Sequence, residues 1–378
     1  MEKTKIQLLT DLGQSLWLDN INRSMIASGK LKKLIDQGIL GLTSNPTIFN
    51  QSISSSDDYD ESIFKLKEAG QTTFEIYDEL TVRDIQDAAD LFKRVYDATD
   101  KNDGYVSLEI NPLLAHNKEE SIQEGLRLFG KVRRPNLMVK VPVTDVGPDI
   151  IEELTAHGVN VNATLIFSPK KYWETVSAYF QGLERYQALN SDLRHVRSVA
   201  SIFVSRIDTA VDRLIEQEIN VSEEGEMKNR LQSLKGKAAV ANSVVIFEKS
   251  RQMFSSNYFQ SLQEHGACIQ RVLWASTGTK NPAYRDIKYV TELIADPTVN
   301  TLPEKTLGAF VDHGEIKKAN FEDVNQAQDI FGKLEQFGIK IDDVYSKLLE
   351  DGVHAFSKSF QELLNSIEAK AKILCAKI

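Results

Sequence analysis

Short apolar and β-branched runs alternate with longer amphipathic stretches along most of the chain. Runs at 15–18, 39–42, 105–110, 137–143, 159–167, 199–204 and 270–275 have the length and composition of strands, and an eighth is expected near 306–311. These runs are nearly continuous in apolar residues rather than strictly alternating, which suits strands covered on both faces. Helical patterns lie between them. Residues 22–36 carry Met25, Ile26, Leu31, Leu34 and Ile35 ahead of Gly38 as a stop. Residues 117–132 open on Asn117 and an acidic turn, and Ser168-Pro169 pairs a capping serine with proline at the first helical position. This alternation predicts parallel strands joined by crossover helices. Roughly eight such units favour an α/β fold of the (β/α)8 TIM-barrel type over an open doubly wound sheet.

Two helical insertions interrupt the alternation. Residues 58–100 read as two or three helices between the second and third strands, and 222–265 as a long helical segment before the seventh. No proline follows Pro303, and the tail to Ile378 is helical by pattern through Val324, Ala327, Ile330, Phe331, Leu334, Val344, Leu348 and Leu349. No internal repeat or Gly/Ser linker sets the tail apart. The expected organisation is one barrel domain over 1–315, with 316–378 as a helical extension packed on it.

With 378 residues the chain can bury a large core, and 42% hydrophobic with 26% charged residues excludes collagen-like, disordered and disulfide-scaffold classes. A net charge of −9 argues against nucleic acid or an anionic membrane as partner. It leaves open a small phosphorylated substrate, which responds to the local field. Cys268 and Cys375 are far apart without metal-like spacing. No apolar run reaches the roughly 18 residues that span a bilayer, and Met1-Glu2-Lys3-Thr4-Lys5 lacks the apolar stretch of a signal peptide. The expectation is a cytoplasmic protein.

One lysine stands out. Lys140 lies inside Leu137-Met138-Val139-Lys140-Val141-Pro142-Val143. An ammonium in such a run is costly unless paired or neutral; apolar surroundings favour the neutral amine, the form that attacks a carbonyl to give a Schiff base. The plainer reading is a strand-end lysine whose head reaches solvent or a structural carboxylate. Polar groups on or after the other strands gather at the face where barrel active sites lie. They include Asp19, Asn45, Glu109, Asn162, Thr164, Ser201, Arg206, Ser276 and Lys280. Imine formation needs a carboxylic acid to deliver a proton, for which Glu109 and Asp19 are candidates. Asn45, Asn162 and Ser201 could fix sugar oxygens, and Arg206 and Lys280 a distal phosphate.

Other motifs fall away. A calcium loop with Gly104 as its sixth residue would put Lys101 and Ile110 where oxygen ligands belong. Gly278-Thr279-Lys280 lacks the remainder of a nucleotide P-loop. The six histidines show no pair at metal spacing.

Seven segments occur together and in order: Leu18-Asp19, Thr43-Ser44-Asn45-Pro46, Val106-Ser107-Leu108-Glu109, Val139-Lys140-Val141-Pro142, Asn162-Ala163-Thr164-Leu165-Ile166-Phe167-Ser168, Ser201-Ile202-Phe203-Val204-Ser205-Arg206 and Trp274-Ala275-Ser276. With this set the chain resembles the transaldolase family of the class I Schiff-base aldolase superfamily, in its longer bacterial form with an extended helical tail. The resemblance implies a (β/α)8 barrel that transfers a dihydroxyacetone unit from sedoheptulose 7-phosphate to glyceraldehyde 3-phosphate, giving erythrose 4-phosphate and fructose 6-phosphate. It implies Lys140 as the nucleophile and Glu109 as an acid–base group acting through a water that Thr164 helps to position. Asp19 becomes the base at the C4 hydroxyl. Asn45, Asn162 and Ser201 hold the dihydroxyacetone part, and Arg206, Ser276 and Lys280 the phosphate. No metal or organic cofactor is implied. Ile202 and Ser205 depart from the common family wording, and Lys280 stands where an arginine is common. Glu109 and Phe203 point to transfer rather than release of free dihydroxyacetone, since the aldolase relatives tend to carry Gln and Tyr there. A fructose-6-phosphate aldolase-like lyase and a catalytically silent sugar-phosphate-binding barrel are the alternatives. The tail matches no catalytic motif and reads as a packing or subunit-contact element, compatible with a homo-oligomer.

Overall fold

Eight short strands, buried at every residue except Asp19, make up the centre of the molecule. They are β1 (Gln14–Asp19), β2 (Gly41–Thr43), β3 (Val106–Glu109), β4 (Leu137–Pro142), β5 (Val161–Ile166), β6 (Ser198–Phe203), β7 (Arg271–Ala275) and β8 (Thr298–Leu302). Each pairs in parallel with the next, and β8 returns to β1 from Gln14↔Thr298 to Leu18↔Leu302, so the barrel is closed. Helices lie between successive strands, as a (β/α)8 barrel requires. The computed structural model describes residues 3–222, 225–319, 321 and 323–376. Met1 and Glu2, used above in reading the N-terminus, residues 223 and 224 of the second insertion, and Asn320, Glu322, Lys377 and Ile378 of the tail lie outside the described residues.

Helix starts follow the local chemistry read from sequence. Asn117 accepts the Glu120 N–H at the start of helix Lys118–Val132, and Ser168 accepts the Lys171 N–H ahead of Pro169. One expectation needs correction, and two helical readings are refined. The eighth strand is Thr298–Leu302, and 306–311 belongs to helix Glu304–His313. Leu307 and Phe310 are buried three apart while Val311 is 47% exposed, which is helical periodicity. Residues 22–36 form two helices, Arg23–Ala27 and Lys30–Asp36, because Gly29 between them takes a left-handed φ of +75°. Segment 222–265 is three helices, Gly225–Gln232, Ala238–Phe254 and Asn257–Gln263.

Alternate strand residues point into the barrel. Near its amino end the interior is closed by one buried ion pair. Arg271 of β7 donates to Asp103 Oδ1 at 2.9 Å and to Ser15 Oγ at 2.9 Å. The same carboxylate accepts Ser15 Oγ and Trp17 Nε1, both at 2.8 Å. The Trp17 ring lies against Gly41, where a Cβ would come within 2.6 Å of ring carbons; glycine is needed on β2 for the indole to fit.

The last helix, Ile341–Cys375, extends along other parts of the molecule. Tyr345 Oη donates to Asn242 Oδ1 at 2.7 Å, and Lys370 Nζ pairs with Asp60 Oδ1 at 2.9 Å. Between them Phe356, Phe360, Leu363 and Ile367 are buried in the same core as the barrel strands. The Phe360 ring meets Tyr77 edge-on at 5.0 Å.

Asp103→Ala leaves Arg271 buried without its counter-charge. Urea unfolding should show a loss of about 3–5 kcal/mol, the cost of breaking a buried pair on one side; a loss within 0.5 kcal/mol, typical of surface changes, would show that the pair does not hold the barrel floor.

Candidate active site

The carboxyl ends of the strands surround a cavity of ≈190 Å³ lined by Asp19, Asn45, Lys140, Ser201, Arg206 and Lys280 among others. Strand register places its chemistry. Glu109 of β3 is level with Lys140 of β4, and Lys140 is level with Asn162 of β5. Lys140 and Glu109 are both buried, 3.6 Å apart from Nζ to Oε2. That separation is an electrostatic contact rather than a hydrogen bond. The amine instead donates to the Ser44 carbonyl at 3.2 Å. Neither Glu109 oxygen nor Thr164 Oγ1 has a hydrogen-bonding partner among the described residues. Buried oxygens of this kind are poised to accept one from a ligand or a proton.

Two hydrogen-bond chains link side chains of different strands around this pair. Thr301 of β8 is 2.7 Å from Thr43 of β2, and the Thr43 hydroxyl donates to Asp19 Oδ1 at 2.7 Å. Since Thr43 gives its one proton to Asp19, Thr301 is the donor in the other contact. Ser201 Oγ donates to Asn162 Oδ1 at 2.7 Å, and Asn162 Nδ2 donates to Ser107 Oγ at 3.0 Å. Asn45 uses its side-chain oxygen to cap helix Pro46–Ser54 through the Ile48 N–H at 3.0 Å. That leaves its amide nitrogen for the cavity. The Arg206 guanidinium stands 5.2 Å from the centre of the Phe203 ring. Ser276 has a left-handed φ of +54°, with its hydroxyl 3.2 Å from that of Ser205.

The two carboxylates differ in setting. Burial raises Glu109 to about 7, opposed by the nearby Lys140 and assisted by Asp19. Burial also raises Asp19 above the usual carboxylate range, although its edge remains partly exposed. Lys140, the Thr43 hydroxyl, Lys280 and Arg206 act in the opposite direction on Asp19.

All the residues singled out in the sequence meet here, at two depths. Asp19, Asn45, Lys140, Ser201, Phe203, Arg206, Ser276 and Lys280 line the cavity. Glu109 and Asn162 reach that wall through Lys140 and Ser201, and Thr164 stands two residues beyond Asn162 on β5. Thr43, Ser107, Thr301 and Phe356 were not singled out. Thr43 and Ser107 sit inside the motifs already quoted. Thr301 was hidden by the misplaced eighth strand. Phe356 carries no sequence signal of its own. Among the described residues no group of three or more His, Cys, Asp or Glu side chains is placed to hold a metal ion, and no helix is long and apolar enough to cross a membrane.

A closed (β/α)8 barrel with a buried amine beside a carboxyl at its strand ends is the framework of a lysine-centred barrel enzyme. Comparison with known proteins narrows the class. The transaldolase/fructose-6-phosphate aldolase family matches residues 16–367, and the chain belongs to that family. It is 44% identical over 366 residues to a transaldolase of Saccharopolyspora erythraea, covering 96% of this chain and 97% of that protein. It is 40% identical over 370 residues to transaldolase 2 of a Nostoc species, covering 97% of each. With a transaldolase of Mycobacterium ulcerans the identity is 40% over 376 residues, 99% of each chain.

A raised carboxyl keeps its proton further up the pH scale. Between the ordinary 4.5 and about 7, folded Glu109 holds a proton that the unfolded chain has lost. Its contribution to stability is therefore present below that window and is lost as pH rises through about 7. Infrared difference spectra of wild type against Glu109→Gln should show a protonated carboxyl band that disappears near pH 7. A band gone by pH 4.5, the ordinary value, would refute the shift.

Proposed function

We propose that the protein is a transaldolase that moves a dihydroxyacetone unit between sugar phosphates through a Schiff base on Lys140. The observation carrying this reading is the buried amine at 3.6 Å from a carboxyl, inside a polar cavity that also holds Arg206 and Lys280. The relatives' names support the same conclusion.

In this reading the Lys140 nitrogen attacks the ketone carbon C2 of sedoheptulose 7-phosphate or fructose 6-phosphate. Glu109, acting through a water that Thr164 helps to hold, delivers a proton to the C2 hydroxyl, which leaves as water. Its raised affinity for the proton suits it to act as an acid near neutral pH. Asp19 removes the proton from the C4 hydroxyl. The C3–C4 bond breaks, its electron pair moves toward the protonated imine nitrogen, and an aldose phosphate leaves. The three-carbon enamine then attacks the aldehyde carbon of glyceraldehyde 3-phosphate or erythrose 4-phosphate. The new alkoxide takes its proton back from Asp19, and water releases the product from Lys140. Asn45, Asn162 and Ser201 hold the dihydroxyacetone oxygens. Arg206, Ser276 and Lys280 hold the phosphate, Arg206 with a forked donor geometry suited to it. The imine serves as the electron sink, so these steps call for no cofactor.

We further place the protein in the cytoplasm, in the non-oxidative exchange of pentose phosphates. Residues 1–315 are read as the catalytic barrel and 316–378 as its helical extension, a packing or subunit-contact element. The shared core of Phe356, Phe360 and Leu363 with the strands supports treating the two parts as one folded unit.

Borohydride reduction in the presence of fructose 6-phosphate, followed by peptide mass mapping, should find a reduced three-carbon adduct on Lys140. Lys140→Met should lose more than about 1,000-fold in turnover, as removal of a nucleophile does. No adduct on any lysine of folded protein would overturn the mechanism. Turnover of fructose 6-phosphate that requires an aldose phosphate acceptor would establish transfer; turnover without one would make the protein an aldolase.

A further inference from the structure

The helix Ile341–Cys375 belongs to none of the steps above, yet one of its side chains lines the same cavity. Phe356 is 4% exposed, and its ring centre lies 5.8 Å from Lys140 Nζ. Of the side chains lining the cavity, only Thr47, Gln51 and Lys280 are exposed. The helix rests directly on the strand ends. One turn before Phe356, a Cβ on Gly352 would stand 2.9 Å from a Leu165 methyl and 3.7 Å from Arg206 Nη1. Leu165 itself has a left-handed φ of +61°, at the point where the β5–β6 register shifts between Ala163 and Ile166. Further along, the Ser359 hydroxyl is 2.9 Å from that of Thr47, and Ser357 Oγ donates to the Pro112 carbonyl at 3.4 Å. The helix is therefore fastened to the segments following β2 and β3 and packed on the end of β5, with Phe356 over the amine.

We infer that Phe356 roofs the active site, shielding Lys140 from bulk water so that the bound three-carbon unit is passed to an aldehyde instead of being released. This inference rests on the transaldolase reading. The two fates divide after C3–C4 cleavage. For transfer, C3 of the enamine forms a carbon–carbon bond to the acceptor aldehyde, whose oxygen takes a proton. For release, C3 takes a proton, water adds to C2 of the resulting imine, and the C2–N bond breaks to give dihydroxyacetone and the free amine. Both routes use one water to free the amine and part only at C3, so a side chain that keeps bulk water, the source of the C3 proton, out of the site favours transfer. Phe356 has no proton to give or take and acts as a positioning residue through the environment of Lys140.

The test uses the full chain with Phe356→Ala and Phe356→Leu. Brief acetic anhydride labelling, read by peptide mass mapping, compares Lys140 with the exposed Lys170. Phe356→Ala should raise the Lys140 to Lys170 labelling ratio several-fold, and Phe356→Leu, which keeps an apolar cover, should return it close to wild type. The second reading is the ratio of free dihydroxyacetone to transferred unit from fructose 6-phosphate with erythrose 4-phosphate or glyceraldehyde 3-phosphate as acceptor. It should rise several-fold in Phe356→Ala and fall back in Phe356→Leu. Unchanged Lys140 labelling in Phe356→Ala overturns the roof. Increased labelling with equal losses in transfer and release overturns its part in partitioning. If the wild-type protein transfers nothing, the transaldolase reading fails while the labelling ratio still decides the roof. Should Phe356→Ala not fold, Phe356→Val removes the ring and is read by the same two ratios.

Discussion

A closed, tightly filled barrel cannot hold a lone charge, and Lys140 and Glu109 meet that constraint by facing each other in register on adjacent strands. Separate burial of either ion would cost several kcal/mol. Together they share one pocket, and the amine finds a further acceptor in the Ser44 carbonyl. Much of the upper interior follows from keeping this pair in place. Asn162 stands level with Lys140 and is fixed from both sides by Ser201 and Ser107. The amide and hydroxyls are thereby oriented before any ligand arrives, which lowers the entropy lost on binding.

The second carboxylate is tuned by different neighbours. Both Asp19 and Glu109 are raised by burial, but Asp19 receives a hydrogen bond from Thr43 and lies within the field of Arg206 and Lys280 as well as Lys140. Glu109 is opposed by Lys140 alone. Two carboxyls in unlike surroundings can divide acid and base work within one site. The proposed mechanism assigns the deeper one to imine formation and the one nearer the cavity mouth to carbon–carbon cleavage.

The two ends of the barrel solve the same electrostatic problem for different purposes. At the amino end Asp103 has its acceptor capacity filled by Ser15, Trp17 and Arg271, so that charge is closed to chemistry and serves to close the floor. At the carboxyl end the Glu109 oxygens have no hydrogen-bonding partner among the described residues. Full satisfaction marks a structural pair; partial satisfaction marks a group left free to exchange protons.

The sequence by itself determined the barrel and most of the side chains gathered at its cavity. A lysine inside Leu137–Pro142 is conspicuous because the strand is apolar on both faces, and polar residues at strand ends are conspicuous against the same background. The alternation of strands and helices is local information, carried by periodicity and caps such as Asn117 and Ser168. β8 was not legible, because Thr298, Asn300 and Thr301 look like loop residues until their distant partners are known. Asn300 accepts from Thr277 and Thr301 donates to Thr43, contacts that exist only once the barrel has closed. Phe356 was not legible for a similar reason. An apolar residue on an amphipathic helix has the same pattern whether it packs on another helix or over a reactive amine. The tertiary structure alone decided which, because only the path of the helix across the strand ends sets what its buried face meets.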